Sequence, residues 1–189
     1  MKPPSREELI QRVARMMYGQ RILNNSHRGD LAEGMVISAL GPEWDFVGLG
    51  WHPWDLQRGS GPDRIRIQVK QIAALQLWGP TKRLTLRFGW KSSPPSYFER
   101  DNPNEEIESE GWFCEVFVFG LHLEDDESEA DQADANQWQF LVIPTSDLEP
   151  PRDSMVLTKA LDIWEPVSWV ELSEKVDEVI TRIDQNDAG

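Results

Sequence analysis

Four polar side chains in the first half of the sequence have the types and the order needed for phosphodiester hydrolysis. Asp55 precedes a turn rich in glycine and proline, and Gln68 and Lys70 follow that turn two residues apart. Residues two apart in a β-strand project from the same face, so the amide and the ammonium belong to one surface. Glu33 lies on the preceding predicted helix, at the border of its apolar face, from which it can point toward the strand.

These groups match the ligand chemistry of a hard divalent cation. Two carboxylates, Glu33 and Asp55, together with the Gln68 amide carbonyl, form an all-oxygen set suited to Mg²⁺ or Mn²⁺. Such a cation lowers the pKa of water and stabilises negative charge on a phosphate oxygen. Lys70 is placed to orient the attacking water or to neutralise developing charge. All four residues are therefore candidate catalytic residues, and the first three are candidate metal ligands.

A β-hairpin over residues 54–71 is expected to bring these groups together. Gly59–Pro62 supplies the turn, and the following strand alternates apolar and polar residues. If the turn is centred between Ser60 and Gly61, Asp55 lies opposite Arg66, on the face that carries Gln68. One bulged residue in the hairpin would reverse this facing.

The remaining pattern predicts helices, then strands, then a helix, which is typical of an α/β or α+β fold in a single domain over residues 1–189. Ser5 with Glu8, and Ser168 with Glu171, have capping-box spacing, and Asn24-Asn25-Ser26 is expected to break the first helix from the second. The predicted helices begin at Ser5, span Arg28–Leu40 and begin again at Ser168; the predicted strands are Trp44–Trp51, Trp54–Arg58, Arg64–Gln71, Leu84–Trp90, Trp112–Leu121 and Trp138–Ile143; the predicted loops are Ser92–Glu110 and Glu124–Asn136.

The order of Glu33, Asp55, Gln68 and Lys70 resembles the PD-(D/E)XK, or restriction-endonuclease-like, nuclease superfamily. Gln71 resembles the polar residue that often follows the lysine of that motif. The resemblance covers about residues 28–75 and implies a central mixed β-sheet flanked by helices, with metal-dependent endonuclease activity. Gln68 departs from the motif because it stands where an acidic residue is usual, which removes one negative charge from the metal site. The literal Pro62-Asp63 pair lies too close to Gln68 and is assigned to the turn.

Charge is distributed unevenly along the chain. The net charge is −14, but residues 1–91 carry +6 and residues 92–189 carry −20. A basic first half is compatible with a nucleic-acid partner, and cations along its strands are candidate phosphate contacts. The candidate nucleic-acid-binding residues are Arg64, Arg66, Gln71, Lys82 and Arg83, with Arg87 and Lys91 further along the same run. Trp51 and Trp54 either stack on bases or fill the core; the core is favoured for a chain with nine tryptophans.

Cysteine content and hydropathy limit the remaining classes of function. The single cysteine, Cys114, excludes a disulfide framework and a cysteine zinc site within one chain, and it suits a cytoplasmic protein. No apolar segment is long enough for a membrane helix.

The predicted function is cleavage of DNA, with a homodimer or a partner subunit needed to cut both strands. Two alternatives remain: an interaction subunit of the same fold whose site has decayed, and an acidic regulator that mimics DNA, against which the basic first half counts.

Overall fold

The computed structural model describes residues 3–47, 53–89 and 111–187. Trp51, His52, Trp90, Lys91 and the predicted loop Ser92–Glu110 lie outside these ranges. Within them the α-helices are α1 (Arg6–Tyr18), α2 (Asn25–Leu40), α3 (Leu157–Leu161) and α4 (Leu172–Asp187). The strands are β1 (Trp44–Phe46), β2 (Leu56–Arg58), β3 (Ile65–Ala73), β4 (Leu75–Gln76), β5 (Gly79–Pro80), β6 (Thr85–Arg87), β7 (Val116–His122), β8 (Trp138–Pro144), β9 (Ser154–Val156) and β10 (Val167–Ser168).

A six-stranded mixed sheet forms the centre of the molecule, in the order β1-β2-β3-β7-β8-β10. Strands β3 and β7 are parallel, and the other neighbours in this sheet are antiparallel. All seven residues of β7 are buried, which confirms the prediction of a central apolar strand. The predicted class, a mixed α/β fold with a central mixed sheet flanked by helices, is confirmed.

Each face of the sheet is covered by a separate apolar layer. Helices α2 and α4 pack on one face, where Val36, Val176 and Ile67 of β3 are fully buried in one apolar cluster. The other face is covered by α3 and by the two-stranded β6–β9 ribbon, which contribute Ala160 and Leu86 to a second buried cluster. The predicted strand Leu84–Trp90 is therefore only three residues long in the structure and belongs to this covering ribbon rather than to the central sheet.

Two of the three predicted helix starts agree with the capping patterns in the sequence. The capping boxes of Ser5 with Glu8 and of Ser168 with Glu171 are both present. The prediction that α2 begins at Arg28 is wrong by three residues. The side chain of Asn24 accepts a hydrogen bond from the His27 backbone N–H, so the residues expected to break the helix instead start it.

Two segments differ from their sequence-based descriptions in how they pack. Helix α1 is amphipathic, yet none of its residues is buried, and the apolar side chain of Met16 is 80 % exposed. The acidic segment over residues 124–136, expected to be a solvated, mobile loop, is anchored by Ala130 and Gln132, both fully buried. Gln132 accepts a hydrogen bond from the Leu23 N–H and donates one to the Leu75 carbonyl.

None of the described helices has the length and apolar character required to cross a membrane.

We expect two glycine-to-alanine substitutions to change stability in opposite directions. At Gly120, in the buried strand β7, an added Cβ would lie 3.0 Å from two ring atoms of Trp138, whose indole N–H is bonded to the Gln132 carbonyl. Gly120→Ala should lower the free energy of unfolding by about 1–3 kcal/mol through overpacking. At Gly34, in α2, the Cβ meets nothing within 4 Å, so Gly34→Ala should raise it by about 0.5–1 kcal/mol.

Urea denaturation of both variants beside the parent measures this difference. Equal effects of the two substitutions would contradict the packing of Trp138 against β7.

Candidate active site

The β-hairpin that carries the candidate residues is present, but its register differs from the predicted one. Leu56 pairs with Ile67, which places Asp55 beside Gln68 rather than opposite Arg66. The connection is longer than expected because Gly61–Asp63 forms a turn of 3₁₀-helix, which includes the Asp63 assigned to the turn. The shift is two residues, so the side-chain facing is unchanged. The predicted meeting of Asp55 and Gln68 therefore holds despite the wrong register.

Asp55 is fixed in place by β3. Its Oδ2 atom accepts hydrogen bonds from Gln68 Nε2 at 2.6 Å and from the Val69 backbone N–H at 2.7 Å. Strand β2 begins at Leu56, one residue after Asp55, so the carboxylate takes the position at Val69 that a strand carbonyl would otherwise fill. Only 9 % of Asp55 is exposed. The second carboxylate oxygen, Oδ1, makes no hydrogen bond within the described ranges.

Glu33 lies on a helix that packs against the face of β3 opposite to the one that carries Gln68. Helix α2 packs on the face of β3 that carries Ile67 and Val69, whereas Gln68 and Lys70 alternate to the opposite face. Glu33 and Lys70 nevertheless line one cavity of about 640 Å³, together with Val69. The candidate residues thus surround the open edge of β3, beyond the end of β2, rather than occupying a single sheet face.

The electrostatics of the two carboxylates favour a bound cation. Burial raises the pKa of Glu33 to about 7, and the negative charges of Asp55 and Asp30 add to the rise while Lys70 opposes it. Burial also raises the pKa of Asp55, against the Val69 hydrogen bond, the Lys70 charge and the Gln68 hydrogen bond, which lower it. Both shifts measure the cost of holding negative charge here without a positive partner. A divalent cation would remove that cost.

The oxygen atoms at this edge of β3 are of the type that hard divalent cations bind. Because Gln68 turns its Nε2 toward Asp55, its carbonyl Oε1 is left without a hydrogen bond to any described residue. Glu33, Asp55 Oδ1 and Gln68 Oε1 are the oxygens available to Mg²⁺ or Mn²⁺. Among the described residues no group of three or more His, Cys, Asp or Glu side chains is placed to hold a metal, so the Gln68 amide is needed to complete the set.

Lys70 lies where two cavities meet. Besides the cavity that it shares with Glu33, it lines a second one of about 320 Å³ with Gln68 and the aromatic residues Phe88 and Phe117. Its ammonium makes no ion pair or hydrogen bond with another described residue. A lysine in that position can donate hydrogen bonds to a phosphate or to a water that enters from either side.

Gln71 has a different role from the one its position suggested. Its Oε1 accepts a hydrogen bond from Arg28 Nε at 2.6 Å, and its Nε2 donates to Asn25 Oδ1 at 3.0 Å. The oxygen and the nitrogen of the Gln71 amide therefore both fasten the first turn of α2 to β3, which fixes the helix that carries Glu33. This arrangement favours a positioning role for Gln71 over contact with nucleic acid.

Arg28 is the residue that sequence reasoning missed. It is 1 % exposed and donates to Gln71, Gln76, Asn25 and the Leu23 carbonyl, none of which is charged. Its signal in the sequence is its spacing: Arg28 lies four residues before Ala32 and eight before Val36, on the buried stripe of α2. A charged residue at a stripe position is a sign of a buried hydrogen-bond network.

The candidate nucleic-acid contacts separate into a half-buried group, Arg64 and Arg66, and an exposed group. Arg66 binds Glu115 through several hydrogen bonds, and both Arg66 and Arg64 lie over the ring of Trp54, at 5.2 and 5.4 Å from its centroid. Trp54 is fully buried, so its assignment to the core is confirmed and base stacking by it is excluded. Lys82 and Arg83 are exposed, and Arg83 lines the larger cavity, as does Arg87.

Comparison with known proteins adds no constraint on this site. No family model, curated protein or solved structure matches the chain. The function is therefore inferred from the residues and their geometry.

The raised pKa of Glu33 predicts a loss of stability between about pH 4.5 and pH 7 in metal-free protein. In this interval the folded protein holds a proton that the unfolded chain releases, so the free energy of unfolding falls as pH rises. Glu33→Gln removes the part of this dependence that Glu33 contributes and should be more stable than the parent at pH 8, by on the order of 2 kcal/mol after screening. Urea denaturation at pH 5 and pH 8 measures the effect.

Glu149→Gln, which changes an exposed glutamate outside the cavity, is the matched control. It should retain the pH dependence of the parent. An unchanged dependence in Glu33→Gln would contradict the buried, repelled state of that carboxylate.

Proposed function

We propose that this protein is a metal-dependent nuclease that hydrolyses phosphodiester bonds in DNA, with a core similar to that of the PD-(D/E)XK superfamily. The observation that carries the proposal is the environment of Asp55. This buried carboxylate is held by Gln68 and feels the opposing charges of Glu33 and Lys70. Two carboxylates beside a half-buried ammonium without an ion-pair partner among the described residues are the arrangement that a cation and a phosphate together require.

Glu33, Asp55 and Gln68 are the residues that would hold Mg²⁺ or Mn²⁺. When bound, the cation supplies a water of lowered pKa and stabilises charge on a phosphate oxygen. The Gln68 amide N–H fixes the orientation of the Asp55 carboxylate, and the Val69 N–H holds it in the plane of the sheet edge. This fixed geometry spares the site the cost of reorganisation when charge develops.

Lys70 supplies the positive charge on the substrate side. Because it lines both cavities, its ammonium can donate to a phosphate oxygen or to the attacking water without leaving its strand position. Arg83 and Arg87 line the larger cavity and offer contacts for flanking phosphates. One chain has one such site, so cleavage of both strands needs a second copy or a partner subunit.

One observation favours an alternative, an interaction subunit of the same fold with a decayed site. The Gln68 amide already satisfies Asp55 in the absence of a cation, which a glutamate would not do. A decayed site of this kind predicts that neither Mg²⁺ nor Mn²⁺ binds at millimolar concentration. Isothermal titration calorimetry with each metal distinguishes the two functions, because the nuclease requires binding and the decayed subunit excludes it.

Substitutions at the site should abolish metal-dependent nicking of supercoiled plasmid. We expect Lys70→Ala and Asp55→Asn each to lower the rate by at least about 100-fold, since each removes a charge that acts on the reacting phosphate or its cation. Asp55→Asn retains an oxygen that accepts from Gln68 and Val69, so it should fold. The conversion of supercoiled to open-circular plasmid is followed with Mg²⁺ and with Mn²⁺.

Lys159→Ala, an exposed lysine on α3 outside both cavities, is the matched control and should nick at the parental rate. Nicking that persists in Lys70→Ala and Asp55→Asn at the rate of the control would reject this site.

Restoring an acid at position 68 should strengthen metal binding and retain or raise activity. Gln68→Glu replaces the amide donor with a third carboxylate, which repels Asp55 and Glu33 in metal-free protein. We therefore expect a lower Tm than the parent without metal at pH 8, and a larger rise in Tm when Mg²⁺ is added. Thermal denaturation with and without Mg²⁺, beside the nicking assay, measures both effects. An inert Gln68→Glu, in a parent that cuts, would remove Gln68 from the ligand set.

A further inference from the structure

The β4–β5 hairpin ends in two large apolar side chains that face solvent. Its two-residue turn is Leu77–Trp78, and these residues are 61 % and 78 % exposed. Turn positions usually carry polar residues or glycine, because the turn contributes no buried surface. Here the backbone requirement is met by the next residue, Gly79, with φ of +110°. Leu77 and Trp78 are therefore not explained by the geometry of the turn.

The base of this hairpin is held rigidly by hydrogen bonds on both strands. Gln76 accepts from Arg28 Nη2 at 2.8 Å and donates to the Ala73 carbonyl at 2.9 Å. On the other strand, the Thr81 N–H donates to the Ala74 carbonyl. The buried Gln132 amide also donates to the Leu75 carbonyl. An exposed aromatic side chain on a fixed support loses little conformational freedom when it binds a ligand.

The hairpin lies at the edge of the candidate active-site cavity. Gln76 and Thr81 line the cavity that also contains Glu33 and Lys70. Directly after Thr81 the chain continues into the exposed cations Lys82 and Arg83. An aromatic side chain next to exposed cations is the combination by which proteins bind a single nucleic-acid strand: the cations contact phosphates and the ring stacks on a base.

We propose that the Leu77–Trp78 tip binds an unpaired nucleobase of the substrate. The inference rests on the proposed nuclease function and specifies its substrate class, a nucleic acid with single-stranded or locally unpaired bases. In an intact duplex each base face is covered by its neighbours, whereas in a single strand it is open to the Trp78 ring. Lys82 and Arg83 then contact the phosphates beside that base, and the strand continues into the cavity toward Lys70.

Fluorescence anisotropy of the full-length chain tests this, with EDTA present to prevent hydrolysis. The probes are a labelled thymidine oligonucleotide of about 20 nucleotides, the uridine RNA of the same length, and a blunt DNA duplex. We expect Trp78→Ala to weaken binding of the single-stranded probes about tenfold and duplex binding by less than about twofold. Trp78→Phe, which keeps a stacking ring, should retain most of the affinity. Val170→Ala, at another exposed apolar residue, is the control. The DNA and RNA probes distinguish the two sources of the base.

Equal affinity of Trp78→Ala and the parent for the single strand would overturn the inference. So would an equal loss on single strand and duplex, or no binding of any oligonucleotide by the parent. Loss of self-association in Trp78→Ala by sedimentation, with oligonucleotide affinity intact, would assign the tip to an interface between copies instead. In each of these cases the plasmid-nicking result decides separately whether the proposed nuclease function stands.

Discussion

The candidate site depends on one interaction, the hydrogen bonding of the Asp55 carboxylate to Gln68 and to the Val69 backbone. Strand β2 begins only at Leu56, one residue after Asp55, and the Asp55 side chain takes the place of a strand backbone as the partner of the Val69 N–H. The carboxylate is therefore both part of the sheet and part of the site. Its position is fixed by backbone pairing rather than by a loop, which gives the precision that a ligand to a cation needs.

The same placement makes the site a source of instability in the metal-free protein. Burial raises the pKa values of both Glu33 and Asp55, and the negative charge of Asp55 adds to the rise at Glu33. The buried Arg28 guanidinium and the Gln71 amide fasten α2 to β3 without adding a carboxylate. Charge that is left uncompensated in an otherwise satisfied polar network marks a position suited to a ligand.

The sequence predicted those features that depend on local periodicity. The alternation in β3, the apolar run of β7 and the two capping boxes follow from side chains within a few residues of each other, and all are confirmed. The hairpin register was wrong by two residues, because a 3₁₀ turn cannot be distinguished from a tighter turn by its glycines and proline alone. Asp55 and Gln68 nevertheless lie together, because a register shift of two residues keeps each side chain on the same face of the sheet.

Features that depend on distant contacts were beyond prediction. Hydrogen-bond partners of Arg28 and Gln132 lie tens of positions away in the chain, so the spacing of Arg28 on the apolar stripe of α2 signals burial but does not identify its partners. Strand β6 (Thr85–Arg87) lies outside the central sheet because it pairs with β9, which is distant from it in the sequence. Helix α1 has the periodicity of a buried helix and no surface among the described residues that buries it.

The uneven charge of the two halves has to be interpreted through the topology. Strand β3 of the basic half lies parallel to β7 of the acidic half, and cations of the first pair with acids of the second, as Arg66 does with Glu115 and Arg58 with Asp177. Part of the positive charge in residues 1–91 is thus paired with acids of the second half. Lys70, Arg83 and Arg87 make no ion pair with another described residue, and all three line the same cavity. The phosphate-bearing substrate that we propose would meet these three cations at that cavity, which Glu33 also lines.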